Sequence, residues 1–501
     1  MPALLLLAAR ELHLHDPLRV LGWRMLHEAI AWPAWLRPLL PTPSGAIDRD
    51  PVALALTSLA ILIAIAYAAA APFVRLRSRA ALLGLGTLVL VLLPTIGLVT
   101  MGFATGRPYG QDGGVVQLPL AMDRLLAGQS PYGADYSDSM LGRQARVSSF
   151  WREYGGNPIL RHHAYLPGTH ALMLPAYVAC RALLGAFDTR FVTLAAFVLT
   201  AVLAFHFGRG GARGLAAAGI VLVNPLVWWH QVFGANDIMV AGLLLGAALA
   251  ADRGRRSWAG ALLGVACATK QLAWPYAPFL AIHLLGATSF RDLARLETWR
   301  SAARPLLAAA AVFLAIVVPV LALDPRAFWG DIVAYNIGLA GGDAYPLGGT
   351  PGFGLANLLI YFGAVGSLKD HVSFAPFYLL LIPLGLLMLR RQMRERDAAM
   401  PLVLGSVALV ASLYFSRVVH PNYLVLAAIL LPLGCLARGR DALLAVGPLS
   451  LLAVAVEYAQ NEVLRTAWEQ ALARGAAAFL GALSPRAGTH LTPDPLGALV
   501  S

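Results

Sequence analysis

The chain has 501 residues, of which 58% are hydrophobic and only 13% are charged. So little charge excludes an ordinary soluble protein of this length, and the apolar residues occur in long blocks. The formal net charge of +12 comes from arginines in short loops between those blocks, a pattern typical of membrane topology determinants and not of a nucleic-acid site. We therefore predict an all-α, polytopic membrane protein in the lipid bilayer, with no nucleic-acid partner.

Cysteine usage adds no further class of site. The three cysteines, Cys180, Cys267 and Cys435, lie inside apolar blocks without CxxC or histidine spacing. Neither a disulfide framework nor a zinc site is indicated by that arrangement.

Hydropathy divides the chain into four parts. We predict an interfacial N-terminal segment at 1–50, a transmembrane core at 51–290, more transmembrane helices at 291–458 and a C-terminal tail at 459–501. About 11–13 transmembrane helices are expected, each near the ~20 apolar residues that a bilayer crossing needs. The predicted spans are 52–73, 80–102, 190–207, 214–232, 238–251, 305–323, 373–389, 398–415, 421–437 and 441–458, with a helical hairpin over 258–286.

The arginine-rich loops set the predicted orientation, because cytoplasmic loops carry an excess of basic residues. Simple alternation of spans would put some of these loops outside. Two prolines, His170 and Arg181 interrupt the segment 164–185, so we expect it to lie along the membrane interface instead of crossing it. The hairpin over 258–286 turns near Lys270, which keeps the arginine-rich loop after residue 286 in the cytoplasm.

On this topology the short cytoplasmic loops hold 18 arginines, whereas the short outer connections hold only Lys270 and Arg417. We predict a multi-pass protein of the inner (plasma) membrane with its active site on the extracytoplasmic face. Two long loops, 103–162 and 324–372, lie on that face, and their aromatic and apolar residues favour folded structures over disordered ones.

Polar side chains gather at the outer ends of the predicted spans, where burial near the membrane is costly and indicates a site. Asp112 follows an apolar run at the start of the loop 103–162. A carboxylate there could act as the general base that deprotonates a sugar hydroxyl. The alternative is that Asp112 caps the helix that follows it.

Asn236 and Asp237 begin a predicted span and admit two interpretations. They could bind substrate, or they could be N-cap residues that satisfy the first amides of the helix. The sequence leaves both interpretations open.

Three further cationic or ionisable residues are candidates for contact with a lipid-linked phosphate. Lys270, followed by Gln271 and the aromatic residue Trp274, could hold a phosphate as a point charge, or its ammonium could extend to the headgroups. Arg417 and His420 admit the same two interpretations. The neighbouring residues Arg161, His162 and His163 also fall at the outer side, but adjacent histidines diverge and do not have metal-ligand spacing.

Several stretches, taken in order, resemble the GT-C superfamily of integral-membrane glycosyltransferases, and glycosyltransferase family 87 most closely. That family comprises polyprenyl-phosphate-mannose-dependent alpha-mannosyltransferase-like proteins. The stretches are QDGGVVQLPLAMDRLLAGQSPYGADY, HAYLPGTHALMLP, the long run from NPLVWWHQVFGANDIMVAG to CATKQLAWPYAPFL and, more weakly, SRVVHPNYLVLAAILL.

The resemblance implies that an aspartate in the first outer loop is the base, which places the role on Asp112. It also implies a horizontal helix, matched by 164–185, and a donor that is a sugar on polyprenyl phosphate, with no cofactor. We therefore expect an inverting hexosyltransferase, for a hexose such as mannose, that uses Asp112 as its single base. Its substrate-binding residues would be Lys270, Gln271, Arg417, His420, Asn236, Asp237, Arg161 and His163, and its acceptor a glycolipid or glycan.

A transporter or flippase of lipid-linked sugars is the alternative, since such proteins also contain intramembrane charges and broken helices. Transporters usually carry charges near the midplane and internal repeats, which this sequence does not show. A scaffold subunit without activity is a third possibility.

Overall fold

The computed structural model describes residues 4–5, 8–9, 51–70, 73, 75–106, 114–147, 149–349 and 354–438. Asp112, the predicted span 441–458 and the tail 459–501 lie outside the described residues, as does nearly all of the predicted segment 1–50.

The described chain is almost entirely helical, which confirms the all-α prediction. Its α-helices are α1 Pro51–Ala70, α2 Leu76–Thr87, α3 Leu93–Thr105, α4 Gly114–Leu126, α5 Met140–Val147, α6 Ser149–Tyr154, α7 Pro167–Leu184, α8 Arg190–Phe207, α9 Gly211–Leu222, α10 Pro225–Val232, α11 Asp237–Asp252, α12 Arg256–Thr269, α13 Ala277–Leu285, α14 Phe290–Leu293, α15 Leu296–Ser301, α16 Ala303–Leu321, α17 Pro325–Trp329, α18 Tyr335–Ile337, α19 Leu355–Tyr361, α20 Ala375–Arg394, α21 Met400–Tyr414 and α22 Val425–Arg438. A π-helical segment joins α2 to α3, and one short parallel pair, β1 Gly348–Gly349 with β2 Val418–Val419, is the strand structure seen in these residues.

Four helical stretches of the described residues are long and apolar enough to cross a membrane. They are Leu76–Ala104, Arg190–Phe207, Ala303–Leu321 and Pro421–Arg438. The polytopic membrane class is thereby confirmed. The segment 164–185, predicted not to cross, forms α7 and is not among the four.

Other predicted spans are interrupted or shorter, which is why fewer helices qualify than the 11–13 expected. The predicted span 214–232 consists of α9 and α10, bent by 49°. At the bend, the Asn224 side chain accepts a hydrogen bond from the Leu226 amide, and Pro225 begins the new helix. The predicted hairpin over 258–286 breaks at Lys270, whose extended backbone ends α12 before a 3₁₀ turn at Gln271–Tyr276.

The described residues divide into two compact units. The first comprises those up to Leu120 and Met173–Gly242, and the second comprises Ala121–Leu172 and those from Leu243 onward. The boundaries predicted from hydropathy at 290 and 458 stay predictions.

Tight helix packing holds the second unit together. A Cβ atom on Gly260 would lie 1.9 Å from the Pro305 carbonyl oxygen, and one on Gly264 would lie 2.3 Å from that of Ala309. These glycines therefore let α12 approach the backbone of α16, as small residues do where apolar helices pack closely.

Both predicted long loops contribute a folded layer to the second unit, which we call the cap: the described residues of 127–166 and 324–372. Tyr132, Leu166 and Ile332 form a buried apolar cluster that includes residues of both segments. The ring of Tyr132 meets that of Phe328 edge to face, with centroids 4.9 Å apart. The two segments are thus joined by an apolar core.

Candidate functional site

The centre of the cap is a buried carboxylate, Asp331, whose side chain is only 3% exposed. Its Oδ2 accepts hydrogen bonds from the backbone amides of Gly133, at 2.8 Å, and His163, at 2.9 Å. Its Oδ1 lies 2.8 Å from Nδ1 of His162. One acidic group therefore fixes two backbone amides and one imidazole of the other cap segment.

The imidazole of His162 is held on two sides. Asp331 bonds to Nδ1, and the ring stacks on Tyr335 with centroids 4.5 Å apart and planes 24° apart. An ionised carboxylate only accepts hydrogen bonds, so Nδ1 carries a proton and the chemistry of the ring belongs to Nε2. The His162 side chain is 14% exposed against 3% for Asp331, and its Nε2 atom is itself buried.

His163 lies beneath this pair in a fully buried position. Its Nε2 is 2.7 Å from Nε2 of His170 on α7, so one ring donates and the other accepts. Burial lowers the pKa of His163 well below its usual value, and the neighbouring His170 lowers it further. Burial also lowers the pKa of His170, to about 4. The two rings form a buried, hydrogen-bonded pair, and the substrate contact of His163 stays a prediction.

Lys270, at the break between α12 and the 3₁₀ turn, is near the same part of the cap. Its ammonium lies 5.8 Å from the centre of the Tyr165 ring, and Tyr165 in turn packs beside His163. The Lys270 side chain is buried, at 8% exposure, so a snorkelling position in open headgroups does not describe it. Gln271 follows as the first residue of the 3₁₀ turn.

The backbone at this break is pinned to the start of α7. Thr169 Oγ1 donates a hydrogen bond to the carbonyl oxygen of Thr269, at 2.8 Å. A Cβ atom on Gly168 would lie 2.6 Å from the carbonyl of Ala268. Close backbone contact therefore sets where Lys270 leaves its helix.

The Arg417 guanidinium contacts the backbone of the cap, and the phosphate contact stays a prediction. Its guanidinium donates to the carbonyl oxygens of Asp370, at 2.7 Å, Tyr345, at 3.2 Å, and Leu368, at 3.4 Å. The residue is 3% exposed, and a Cβ atom on Gly338 would lie 2.8 Å from its side chain. The Arg417 side chain therefore binds the backbone of the 338–372 part of the cap.

An aromatic cluster connects His162 to His420. Tyr335 packs against Tyr345, and the Tyr345 ring is 5.4 Å from His420 and 5.9 Å from Trp151, all edge to face. At the rim, Arg161 forms an ion pair with Asp343, 3.2 Å apart and largely exposed. The structure thus brings His162, His163, Lys270, Arg417, His420 and Arg161 into or around one cap.

Asn236 and Asp237 belong to the first unit. Asn236 is 2% exposed, and among the described residues neither polar atom of its side chain has a hydrogen-bond partner. Its side chain therefore does not act as the N-cap that the sequence allowed. Asp237 begins α11 and is also buried.

Sequence reasoning missed Asp331 as a site residue, and it named His162 without a partner. The available signal was a single acidic residue between apolar and aromatic residues in WGDIVAYN, within a long loop predicted to fold. Nothing local linked that residue to His162, because the two are 169 positions apart.

Comparison with known proteins gives one family match and one similar structure. Residues 125–286 match the family described as alpha-(1->6)-mannopyranosyltransferase, N-terminal domain. The crystal structure of ArnT from Cupriavidus metallidurans bound to undecaprenyl phosphate is similar with a TM-score of 0.36 and 19% identity, over 68% of this chain. The chain matches 61% of the length of that structure. No curated protein matches.

The family match includes the cap residues 127–166, α7 and the broken hairpin at Lys270. It overlaps three of the four stretches on which the predicted resemblance was based, and it contains two of them completely. Residues 125–286 are therefore similar to a mannopyranosyltransferase domain, which agrees with the mannosyltransferase-like resemblance that the sequence predicted.

Proposed function

We propose that this protein is a membrane glycosyltransferase that moves a hexose such as mannose from a polyprenyl-phosphate donor to a glycolipid or glycan acceptor. The reaction is expected on the extracytoplasmic face of the inner membrane and with inversion at the anomeric carbon. The single observation that carries the proposal is the match of residues 125–286 to a mannopyranosyltransferase domain.

The chemistry needs one base, because phosphate is already a good leaving group. Asp112 takes the proton of the acceptor hydroxyl as its oxygen attacks the anomeric carbon, and the bond from that carbon to the phosphate oxygen breaks. One displacement without a covalent intermediate inverts the configuration.

Charge on the departing phosphate requires a cation, and Lys270 is the candidate that the cap geometry favours. It is buried beside the Tyr165 ring, where the low dielectric strengthens its attraction for an anion. Arg417 supports this arrangement indirectly, since its hydrogen bonds hold the 338–372 segment in place.

The test is transfer of radiolabelled hexose from polyprenyl-phosphate-hexose to membrane acceptors by wild type and Asp112→Asn in equal, folded amounts. Loss of a general base is expected to lower transfer by about 10²–10⁴-fold. Asp138→Asn, an exposed carboxylate of the cap, is the matched control and should retain transfer.

Unchanged transfer by Asp112→Asn would move the base to another carboxylate, with Asp237 next to test. If wild type transfers hexose from none of a panel of such donors, the proposed activity is wrong. The same vesicles would then be assayed for movement of lipid-linked sugars, and a bent helix pair such as α9 with α10 is a feature that transporters also have.

A further inference from the structure

We propose that His162, oriented by Asp331, binds the phosphate group of the polyprenyl-phosphate carrier. The inference rests on the proposed function and adds two residues that neither the sequence pattern nor the family match assigns. It concerns only the second unit, in which both residues lie.

The fold surrounds the Asp331 carboxylate with hydrogen-bond donors. A carboxylate that is nearly fully buried is costly unless it is hydrogen-bonded, and here two backbone amides and an imidazole provide the partners. Two amides alone would satisfy a structural role. The third bond, to His162 Nδ1, fixes the ring orientation and its tautomer.

The oriented ring suits a phosphate oxygen. With Nδ1–H bonded to Asp331, the ring donates from Nε2 when it is an imidazolium. A hydrogen bond between an imidazolium and a phosphate oxygen is charge-assisted and is stronger than one between neutral groups. The stack on Tyr335 removes the remaining freedom of the ring, so little entropy is lost on binding.

The charge of Lys270 also favours a phosphate. Tyr165 follows His162 by three residues, and the Lys270 ammonium lies 5.8 Å from the Tyr165 ring. The His162 imidazole and the Lys270 ammonium therefore associate with one short segment of the cap. A phosphate monoester carries close to two negative charges near neutral pH, whereas a neutral sugar or alcohol carries none.

In the transfer reaction, the electron pair of the broken bond stays on the phosphate oxygen, and Asp112 holds the proton of the acceptor. The hydrogen bond from His162 stabilises the charge that develops on the phosphate, and His162 keeps its own proton. Asp331 is a positioning residue that acts through His162.

The experiment measures binding of a short-chain polyprenyl phosphate and of the matching uncharged polyprenol to the purified full-length protein in detergent. His162→Gln and Asp331→Asn should each weaken binding of the phosphate by about tenfold or more, and leave binding of the polyprenol unchanged. His206→Gln, at an exposed histidine, is the matched control and should bind both ligands as wild type does.

The double variant separates positioning from general stability. If Asp331 acts through His162, Asp331→Asn should weaken phosphate binding no further in the His162→Gln background. Additive losses, or an equal loss for polyprenol, would make the pair a structural pin and overturn the inference.

Wild-type affinity for the phosphate in His162→Gln would also overturn it, and that variant decides alone if Asp331→Asn does not fold. If wild type itself does not prefer the phosphate to the polyprenol, the proposed donor is wrong and the inference is wrong with it. The two outcomes can be told apart, because a wrong donor abolishes the preference for phosphate in wild type, whereas a wrong role for His162 leaves that preference in place.

Discussion

At the scale of single residues, the burial and hydrogen bonds of Arg417 indicate that it stabilises the cap. Its guanidinium donates to three backbone carbonyls of the cap, and only the geometry of a planar guanidinium reaches all three at once. Lysine has the same charge but offers a single donor centre.

We therefore expect Arg417→Lys to lower the free energy of unfolding by about 2–3 kcal/mol, because hydrogen bonds to a charged group are lost in a buried place. Thermal unfolding in detergent measures the effect. Arg161→Lys, at a largely exposed ion pair, should cost about 0–1 kcal/mol. If Arg417→Lys were as stable as wild type but bound polyprenyl phosphate weakly, the direct phosphate contact predicted from the sequence would hold instead.

The buried pair of His163 and His170 makes the free energy of unfolding depend on pH. The folded protein keeps His170 neutral because burial lowers its pKa from 6.5 to about 4. Between these two pH values the unfolded chain binds more protons, so the free energy of unfolding falls as pH is lowered through the window. Below about pH 4 the whole contribution is lost.

His170→Gln should flatten this dependence, so that the thermal midpoints at pH 7.5 and pH 5 lie closer together than in wild type. The measurement is a thermal unfolding series across that range. His206→Gln, at an exposed position, should keep the wild-type slope. A wild-type slope in His170→Gln as well would mean that the pair is already protonated in the folded protein.

At the scale of elements, the start of α7 packs directly against the backbone at the end of α12. A methyl group on Gly168 would meet the carbonyl of Ala268 at 2.6 Å and the amide nitrogen of Thr269 at 2.7 Å. The helix would have to move away, and the hydrogen bond from Thr169 to Thr269 would break.

Gly168→Ala is therefore expected to destabilise the protein by about 1–3 kcal/mol, the usual cost of overpacking, and to lower affinity for polyprenyl phosphate by displacing Lys270. Gly385→Ala is the control, because no atom lies within 4 Å of the new methyl group in α20. Its thermal midpoint should be unchanged or higher, since alanine favours helix. Equal changes in thermal midpoint and in phosphate affinity for Gly168→Ala and Gly385→Ala would show that the contact between α7 and α12 does not position Lys270.

Elements defined by local hydropathy could be predicted from the sequence, and those defined by distant partners could not. The span 190–207 coincides with α8, and the break at Lys270 was expected from the charge rule. The bend before Pro225 was missed because apolar composition continues through it, although proline and asparagine were both visible. Asp331 was missed because its partners are 168 and more positions away in the chain.

At the scale of the whole molecule, the arginine-rich loops predict which side of the membrane each surface faces. Asp138 lies in the cap and Arg253 lies in the loop between α11 and α12, and both are exposed. In a background where Cys180, Cys267 and Cys435 are replaced by alanine, a cysteine at position 138 should react with an impermeant maleimide in intact cells.

A cysteine at position 253 should react only after the membrane is permeabilised. Gel shift of the labelled protein, with each variant checked for expression, reads out both positions. The reverse pattern would place the cap in the cytoplasm, and a donor on the outer leaflet could then not reach it.

The bonds of Asp331 also have a consequence for biosynthesis. Gly133 and His163 obtain this partner only after the chain has grown by 198 and 168 residues, respectively. At about 5–20 residues per second, that growth takes about 10–40 s for Gly133. During this interval His162 and His163 have been synthesised, but Asp331 has not. The first cap segment therefore obtains the hydrogen bonds of Asp331 only late in synthesis.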